Sequence, residues 1–238
     1  MTQVLHLPKL DFAPNTVADQ IYAELYRQVL SLELKPGAKL SEIEVAKAMG
    51  VSRQPVRDAF YRLSKNGFLL IRPQRATTVT LISAAAVMRA RFIRTALEVE
   101  TIRTAAPRLC ETDLDALAAI IEAQDAAICA DDRHGFHRLD DAFHREICAR
   151  ANLAFTWELI AENKGHMDRV RMLSLSFASR TAWEDHVEIL KALRGREPEA
   201  AAAAMRAHLS RIKEQIDRIL QQNHDYFAEE PADARLDF

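Results

Sequence analysis

The segment that decides the fold is GVSRQPVRDAF, residues 50–60. Gly50 suits the left-handed position that ends a helix, and Ser52 can cap the helix that follows. Pro55 falls within the first turn of that second helix, where its missing N–H costs little. The apolar residues of the second helix share one face: Val56, Ala59, Phe60 and Leu63. The pattern predicts a helix, a tight turn and a second helix with a polar outer face.

The residues just before this turn predict the first helix of the pair. Ser41 is a candidate N-cap, and Glu44 follows it at the spacing of a capping box. We expect the buried face of this helix to consist of Leu40, Ile43, Val45, Ala46 and Met49. Two helices joined in this way are typical of the helix-turn-helix motif, whose second helix enters the major groove of DNA.

The polar face of the second helix begins with side chains that can recognise bases. Arg matches guanine O6 and N7, and Gln matches adenine N6 and N7, because each side chain contacts two groups at once. Arg53, Gln54 and Arg57 all lie near the start of the helix, the part that contacts base edges. The alternative is a solvated helix whose arginines only aid solubility. The coincidence of caps, turn glycine and exposed basic residues favours DNA recognition.

Charge is divided unequally along the chain. The net charge is −2, yet residues 1–79 carry 11 Lys or Arg against 7 Asp or Glu, which leaves 21 against 27 for residues 80–238. Phosphate contacts supply affinity for DNA without sequence information. A basic strip suited to them comprises Arg53, Arg57, Arg62, Lys65, Arg72 and Arg75. The division predicts a DNA-facing N-terminal domain and a C-terminal domain with another task.

Apolar spacing predicts a mainly α protein. A winged helix-turn-helix over residues 1–80 would combine a helix at 16–32, a turn at Lys35-Pro36-Gly37, the helix pair, and a two-stranded wing at 68–71 and 77–82. The apolar spacing of residues 81–223 predicts an all-α antiparallel bundle of about six helices. We expect these helices near residues 83–106, 111–130, 132–150, 152–177, 179–194 and 197–222. Residues 224–238 should form a loose acidic tail.

Composition indicates a soluble globular protein. Hydrophobic residues make up 49% of the chain without a long apolar run, so no membrane span is expected. The N-terminus around Lys9 and Asp11 lacks the pattern of a secretory signal. Cys110, Cys129 and Cys148 are odd in number and widely spaced, which favours reduced thiols. These features predict a cytoplasmic protein.

A second constellation lies in the helical domain. Asp140 and His144 are four residues apart and therefore share one helical face, and His186 and His208 lie on two later helices. One carboxylate with two or three imidazoles is a ligand set for Zn, Ni, Mn or Fe. His137 and Asp141 form a rival pair at the same spacing, one face round the helix. Periodicity leaves the choice between the two pairs, or a purely structural polar cluster, open.

The first 80 residues resemble the DNA-binding domain of the GntR family of bacterial transcription regulators. The resemblance rests on Pro36-Gly37-Ala38-Lys39-Leu40-Ser41-Glu42 and on the GVSRQPVRDA segment, and it extends to Leu63 and Gly67. The helical remainder resembles the FCD ligand-sensing domain of the FadR subfamily. The resemblance implies that Arg53 and Arg57 contact operator bases, and that Ser52 and Gln54 lie at the DNA surface. The wing departs from the family pattern, because Ala76 stands where a Gly is usual beside Arg75, the residue expected in the minor groove.

The resemblance also implies a metal site at Asp140, His144, His186 and His208, with Zn favoured and Ni, Mn or Fe as alternatives. Arg94 matches a family position at the effector cavity, and Arg171 has a weaker correspondence, with an ion pair to neighbouring acids as its alternative. A cation beside arginines would attract a small carboxylate effector. Cys148 continues the His144 face by one turn and is interpreted as a buried structural thiol.

The predicted function is a ligand-responsive transcription regulator, a homodimeric repressor that binds double-stranded operator DNA. Two-fold symmetry would let two recognition helices meet successive half-sites. One alternative is a metal-dependent hydrolase, since an open metal site can activate water, although the chain lacks a nucleophile motif and a Gly-rich cofactor loop. Another alternative is an architectural DNA-binding protein whose helical body is only structural.

Overall fold

The computed structural model of the protein describes residues 16–229. Its chain divides into two compact units: the first extends to Ile82 and also includes Asp225–Ala228, and the second begins at Ser83. The predictions about the N-terminal targeting signal and about the tail beyond residue 229 lie outside the described residues. Of the helices in the described range, none has both the length and the apolar content needed to cross a bilayer.

The first unit has the architecture of a winged helix-turn-helix. Its helices and strands are α1 (Val17–Leu30), β1 (Lys39–Leu40), α2 (Glu42–Met49), α3 (Arg53–Lys65), β2 (Leu69–Leu70) and β3 (Thr77–Val79). The strands form an antiparallel sheet in the order β1-β3-β2. Helices α1 and α3 pack against each other over a shared apolar core. The predicted inner face of α3 is fully buried: Val56, Ala59, Phe60 and Leu63.

Local signals explain where these helices begin and end. The Ser41 hydroxyl accepts a hydrogen bond from the backbone N–H of Glu44 (3.4 Å) and so caps α2. Gly50 ends α2 at φ 70°, a left-handed conformation that favours glycine. Ser52 occupies the N-cap position of α3, but its side chain makes no capping hydrogen bond. The turn is therefore formed as predicted, except that the Ser52 hydroxyl is not used by the cap.

Two predictions about the first helix pair are wrong in detail. Leu40 lies in β1 and not on α2, because it pairs with Thr77 of β3. Ile43 is 59% exposed although its spacing placed it on the buried face. Helix α2 is only eight residues long, so Val45, Ala46 and Met49 suffice to cover its inner side.

The second unit is the predicted all-α bundle. Its described helices are α4 (Ala84–Ala105), α5 (Glu111–Cys129), α6 (Arg133–Arg150), α7 (Ala154–Asn163), α8 (Gly165–Arg194) and α9 (Pro198–Gln222). The break between the fourth and fifth predicted helices is misplaced: it lies at Lys164, whereas residues 177–179 are in the middle of α8. Residues 177–179 contain no helix breaker, whereas Gly165 directly follows Lys164 and lowers helix propensity there.

Packing within the second unit brings the middle of α4 against several helices. Helix α4 packs on α9, α8, α6 and α7, and α8 also packs on α5 and α9. A large apolar cluster includes Ile102, Leu117, Phe143 and Ile189 from four of these helices. Helix α4 also buries charged residues, among them Arg94 and Glu98. Such burial requires partners, and those partners form the site described below.

The segment after α9 differs from the expected loose tail. His224–Tyr226 forms a short 3-10 helix, and Phe227 forms a parallel bridge with Ile82. The Ile82 N–H donates to the Tyr226 carbonyl (2.7 Å), and the Ala228 N–H donates to the Ile82 carbonyl (2.9 Å). Phe227 is 7% exposed. These contacts hold residues 226–228 in the first unit, because paired backbone groups and a buried ring oppose fraying.

Candidate metal centre, ligand cavity and DNA-binding surface

The second unit brings the four predicted metal ligands together. Asp140 and His144 project from one face of α6, while His186 comes from α8 and His208 from α9. One potential ligand atom from each residue lies within 4.8 Å of all the others. The Nε2 atoms of His144 and His186 lie 3.9 Å and 3.7 Å from carboxylate oxygens of Asp140. Asp140, His144 and His186 are buried.

Each imidazole of the cluster turns its Nδ1 atom toward an oxygen acceptor. His186 Nδ1 lies 2.9 Å from Oε1 of Gln124, and His208 Nδ1 lies 3.3 Å from a carboxylate oxygen of Asp185. His144 Nδ1 lies 2.5 Å from Oε2 of Glu98. That contact is not aligned as a regular hydrogen bond, yet a lone pair facing a carboxylate at this distance would be strongly repelled. These contacts favour the tautomer with the proton on Nδ1, in which the Nε2 lone pairs are available.

Electrostatics maintain the protonation states that a metal requires. Burial raises the pKa of Asp140, but the adjacent Arg171 guanidinium outweighs it and holds the pKa well below its usual range. Asp140 is therefore a carboxylate. Burial lowers the pKa of both His186 and His208, so these imidazoles are neutral at pH 7. Deprotonated carboxylate and neutral imidazole are the forms that bind metal ions.

The residues of this cluster fit a divalent transition metal. The Nε2 atoms of His144 and His186 are buried and have no hydrogen-bond partner within residues 16–229. A buried acceptor without a partner is costly, and a bound cation would satisfy both atoms. Three imidazoles and one carboxylate supply the nitrogen and oxygen donors that zinc and its neighbours prefer.

The rival pair, His137 and Asp141, lies in a different environment. These residues group with Asp168, but the carboxylates are already neutralised by basic side chains. Lys164 Nζ donates to Asp141 (2.7 Å) and to Asp168 (2.5 Å), and Arg171 donates to the same two carboxylates at 3.2 Å. This arrangement is a buried ion-pair network. The Lys164 ammonium and the Arg171 guanidinium occupy the positions beside the carboxylates that a bound metal ion would need.

A cavity lies directly beside the candidate metal ligands. Asp140, His208, Arg94 and Arg171 line it together with an apolar wall of Phe136, Met167, Leu175, Ala178, Leu209 and Ile212. Its volume is about 70 Å³. Arg171 shows the ion pairs that were its alternative interpretation, since it contacts Asp140, Asp141 and Asp168. Arg94 has one pairing partner, Glu98, and its buried Nη2 atom has no partner among the residues described.

Sequence reasoning assigned no role to the residues that contact the candidate ligands from outside the cluster. Glu98 and Gln124 are buried polar residues on α4 and α5, and a single sequence offers no spacing signal for their contacts. Asp185 is the exception, because it directly precedes His186 and could have been noticed. Cys148 is buried as predicted, and burial raises the pKa of its thiol to about 11.

The first unit presents the predicted DNA-contacting residues on one exposed helix face and on the wing. Ser52, Arg53, Gln54 and Arg57 are all exposed at the start of α3. The Arg53 and Arg57 side chains are 56% exposed and make only long contacts, of 3.4 Å and 3.5 Å, with Glu42. Their guanidinium groups are therefore free to exchange this weak exposed pairing for a contact with DNA.

Arg75 lies in the loop between β2 and β3. Together with Lys39 and Arg72, it lines a basic groove on the wing. The departure at Ala76 is tolerated because the left-handed residue of this loop is Gln74, at φ 58°, and not Ala76. The wing therefore forms without the expected glycine.

A winged helix-turn-helix with an exposed basic recognition helix, followed by an all-α unit with a buried polar cluster, defines a two-domain DNA-binding regulator. Comparison with known proteins agrees with that class. The profile described as bacterial regulatory proteins, gntR family, matches residues 17–79, and that of the FCD domain matches residues 90–211. The chain belongs to the GntR family of transcription regulators and carries an FCD domain, as its resemblance implied.

Curated relatives are transcription regulators and not enzymes. The HTH-type transcriptional repressor RspR of Escherichia coli (strain K12) is 38% identical over 216 residues, which cover 90% of this chain and 95% of the relative. A probable D-xylose utilization operon transcriptional repressor of Paenarthrobacter nicotinovorans is 29% identical and covers 82% of this chain and 86% of its own length. The hydrolase alternative is therefore wrong, and the protein is a DNA-binding transcriptional regulator.

Solved structures support the same fold. E. coli McbR/YncC matches with a TM-score of 0.73 at 24% identity, covering 87% of this chain and 99% of the other. A putative GntR regulator from Rhodococcus sp. RHA1 matches with a TM-score of 0.67 at 21% identity, covering 86% and 97% of the two chains. The mainly α architecture, a winged helix-turn-helix followed by a helical bundle, is thereby confirmed.

Proposed function

We propose that the protein is a ligand-responsive repressor whose helical unit binds a divalent metal ion and a small carboxylate effector. The observation that carries this proposal is the convergence of Asp140, His144, His186 and His208, with their Nδ1 atoms held by acceptors and their Nε2 atoms left for a cation. The FCD match supports it, because metal sites are common in this domain. Bound there, the cation would supply a positive centre that attracts a carboxylate.

Zinc is the proposed metal, with nickel, manganese and iron as alternatives. Zinc accepts three imidazoles with one carboxylate and tolerates an added ligand from substrate or water. Asp140 and His208 line both the cluster and the cavity, so a ligand in the cavity would lie next to the cation. The metal would thus help to bind the effector, and no hydrolytic step is required.

The cavity favours a small anion with an apolar part. A volume of about 70 Å³ corresponds to roughly five buried waters, which limits the ligand to a few heavy atoms. Arg94 offers a buried guanidinium nitrogen without a partner in the described chain, and such a group binds carboxylates strongly. Arg171 lines the same cavity, but its guanidinium is committed to three aspartates. We therefore assign effector binding first to Arg94 and second to Arg171.

In the first unit, we propose that Arg53, Gln54 and Arg57 contact bases of double-stranded operator DNA. Ser52 would contact the backbone, and Arg75 would reach the minor groove from the wing. Exposure of all five side chains at the start of α3 and in the wing supports these roles. Lys39 and Arg72, which share the wing groove with Arg75, would add phosphate contacts.

We also propose a homodimer, because two-fold symmetry matches two operator half-sites. Helices α4 and α7 pack together in the second unit and leave large apolar side chains exposed: Phe92 (52%), Phe155 (57%) and Leu159 (45%). Light scattering should give twice the chain mass. A monomeric mass at micromolar concentration would contradict the dimer without affecting the metal site.

The experiment that tests the sensory role combines metal analysis with operator titration. Elemental analysis of protein purified without added metal should find one equivalent per chain. A screen of small carboxylates by thermal shift should then identify ligands that change operator affinity. A helical body that binds neither metal nor carboxylate would instead support the architectural alternative.

A further inference from the structure

Glu98, on α4, contacts one residue from each of the two proposed binding sites of the helical unit: His144 of the metal site and Arg94 of the effector cavity. Its Oε1 atom accepts a hydrogen bond from Nε of Arg94 (2.5 Å), and its Oε2 atom lies 2.5 Å from Nδ1 of His144. The Glu98 side chain is only 2% exposed, and those of Arg94 and His144 are 3% and 0% exposed. Neither oxygen is therefore available to solvent or to a ligand.

We propose that Glu98 is a positioning residue that fixes His144 for metal binding and Arg94 for effector binding. The inference rests on the proposed function, and it assigns a task to a residue that contacts neither the metal nor the effector. Glu98 is on the opposite side of the His144 ring from Nε2, so its role is indirect.

The first part of this role concerns the tautomer of His144. A neutral imidazole carries one proton, and the nitrogen that carries it cannot bind a metal. The Glu98 carboxylate is paired with the Arg94 guanidinium at 2.5 Å and is therefore an anion without a proton to donate. It can therefore only accept a hydrogen bond from Nδ1–H, which leaves the lone pair on Nε2, the atom that faces Asp140. Carboxylate partners of this kind are known to orient metal-binding histidines.

The second part concerns the direction of Arg94. The guanidinium uses Nε for Glu98, and the residue lines the cavity. The Nη2 atom is buried without a partner among the described residues. Because one carboxylate fixes both groups, a displacement of Arg94 by a bound anion would also move Glu98 and the His144 ring. Metal and effector would then affect each other through Glu98 as well as through direct contact.

The test compares Glu98→Gln with wild type, using Zn²⁺ alone as the probe. Gln has the same shape but no charge, and its NH₂ group would oppose either Arg94 or His144. We expect the Zn²⁺ dissociation constant to rise roughly 10- to 100-fold, measured by calorimetry or chelator competition. Glu100→Gln is the matched control, since Glu100 lies two residues further along α4 with a side chain that is 69% exposed. That variant should bind Zn²⁺ like wild type.

A second measurement begins with the unsubstituted protein. Long-range ¹⁵N NMR of metal-free wild type reports the tautomer of each histidine, and we expect His144 to carry its proton on Nδ1. Glu98→Gln should raise the population of the Nε2-protonated form, in protein whose circular dichroism spectrum shows that it is folded. An Nε2 proton on His144 in wild type, or unaltered Zn²⁺ affinity in folded Glu98→Gln, would overturn the proposal. If wild type itself binds no Zn²⁺ while His144 shows the expected tautomer, the proposed function fails and the positioning of His144 stands.

Discussion

The Oε1 atom of Gln124 lies 2.9 Å from Nδ1 of His186, across the contact between α5 and α8. The amide of Gln124 cannot rotate freely, because its NH₂ group donates to the carbonyl of Leu139 (3.1 Å). Its oxygen must therefore face His186, which makes Nδ1 the donor. A residue on α5, a helix that supplies none of the candidate ligands, thus determines which nitrogen of His186 is available to a metal.

This relationship predicts that Gln124→Leu weakens metal binding without removing a ligand. Leu fills a similar volume but leaves His186 free to place its proton on Nε2. We expect the Zn²⁺ dissociation constant to rise about 10- to 100-fold, as for other partners of metal-binding histidines. Chelator competition measures it, with Gln221→Leu on an exposed stretch of α9 as the control. Equal affinities for the two variants would mean that Gln124 does not orient His186.

A second prediction distinguishes the two candidate metal clusters. His144→Ala should abolish the stabilisation that Zn²⁺ gives to wild type, whereas His137→Ala should retain it, because the carboxylates near His137 are paired with Lys164 and Arg171. A ligand at 100 times its dissociation constant stabilises the native state by about 2.7 kcal/mol. Thermal unfolding with and without Zn²⁺ measures this difference. Loss of the effect in His137→Ala alone would move the site to the rival pair.

A third prediction concerns DNA recognition. Arg57→Ala should cost about 1–3 kcal/mol of operator binding if Arg57 makes a bidentate contact with guanine. Lys65→Ala, near the end of the same helix, should weaken operator and random DNA alike. Fluorescence anisotropy at one salt concentration measures the affinities of wild type and of both variants for operator and for random DNA. Equal losses on operator and random DNA for Arg57→Ala would rule out a base contact.

A fourth prediction concerns the cysteines. Burial raises the pKa of Cys148 to about 11 and leaves the residue 1% exposed. The thiolate is the reactive form, so a raised pKa keeps Cys148 unreactive until the pH approaches that value. Cys110 and Cys129 are exposed. Mass spectrometry after iodoacetamide at pH 8 should show modification of these two in the native protein, and of all three after denaturation. Native Cys148 that reacts as fast as Cys129 would contradict its burial.

Much of the fold and of the candidate site could be predicted because the responsible residues act locally. Gly50 indicates the turn because the left-handed conformation there favours glycine, and the four-residue spacing of Asp140 and His144 places both on one helical face. The break predicted near residue 178 was wrong because periodicity does not show where a long helical stretch is interrupted, and the low helix propensity of Gly165, beside the observed break at Lys164, was not used. Glu98 and Gln124 could not be found, since their roles depend on which helices become neighbours.

The choice between His137 and His144 illustrates the same limit. Each histidine lies four residues from an aspartate, and periodicity treats the two pairs alike. Only the assembled bundle shows that α8 supplies Asp168 beside His137 but His186 beside His144. Charge pairing in three dimensions therefore distinguishes an ion-pair network from a set of ligands with unused lone pairs.

The last prediction concerns the link between the effector and the operator. An effector regulates only if it binds the DNA-competent and DNA-incompetent states with different affinity, and such coupling is commonly about 1–3 kcal/mol, or roughly 5- to 150-fold in operator affinity. Removing Arg94 entirely would leave the buried Glu98 without its cation, a change that typically costs about 3–5 kcal/mol of stability. Arg94→Lys avoids this loss, because it keeps a positive charge beside Glu98. A single ammonium cannot bond Glu98 and also reach the cavity as the longer guanidinium does.

We expect Arg94→Lys to bind operator DNA normally in the absence of effector, but to lose most of the response to a carboxylate that shifts wild type. Arg89→Lys, at an exposed position of α4, is the control and should respond fully. Operator titrations with and without the carboxylate measure the response. A full response in Arg94→Lys would show that the effector binds without Arg94.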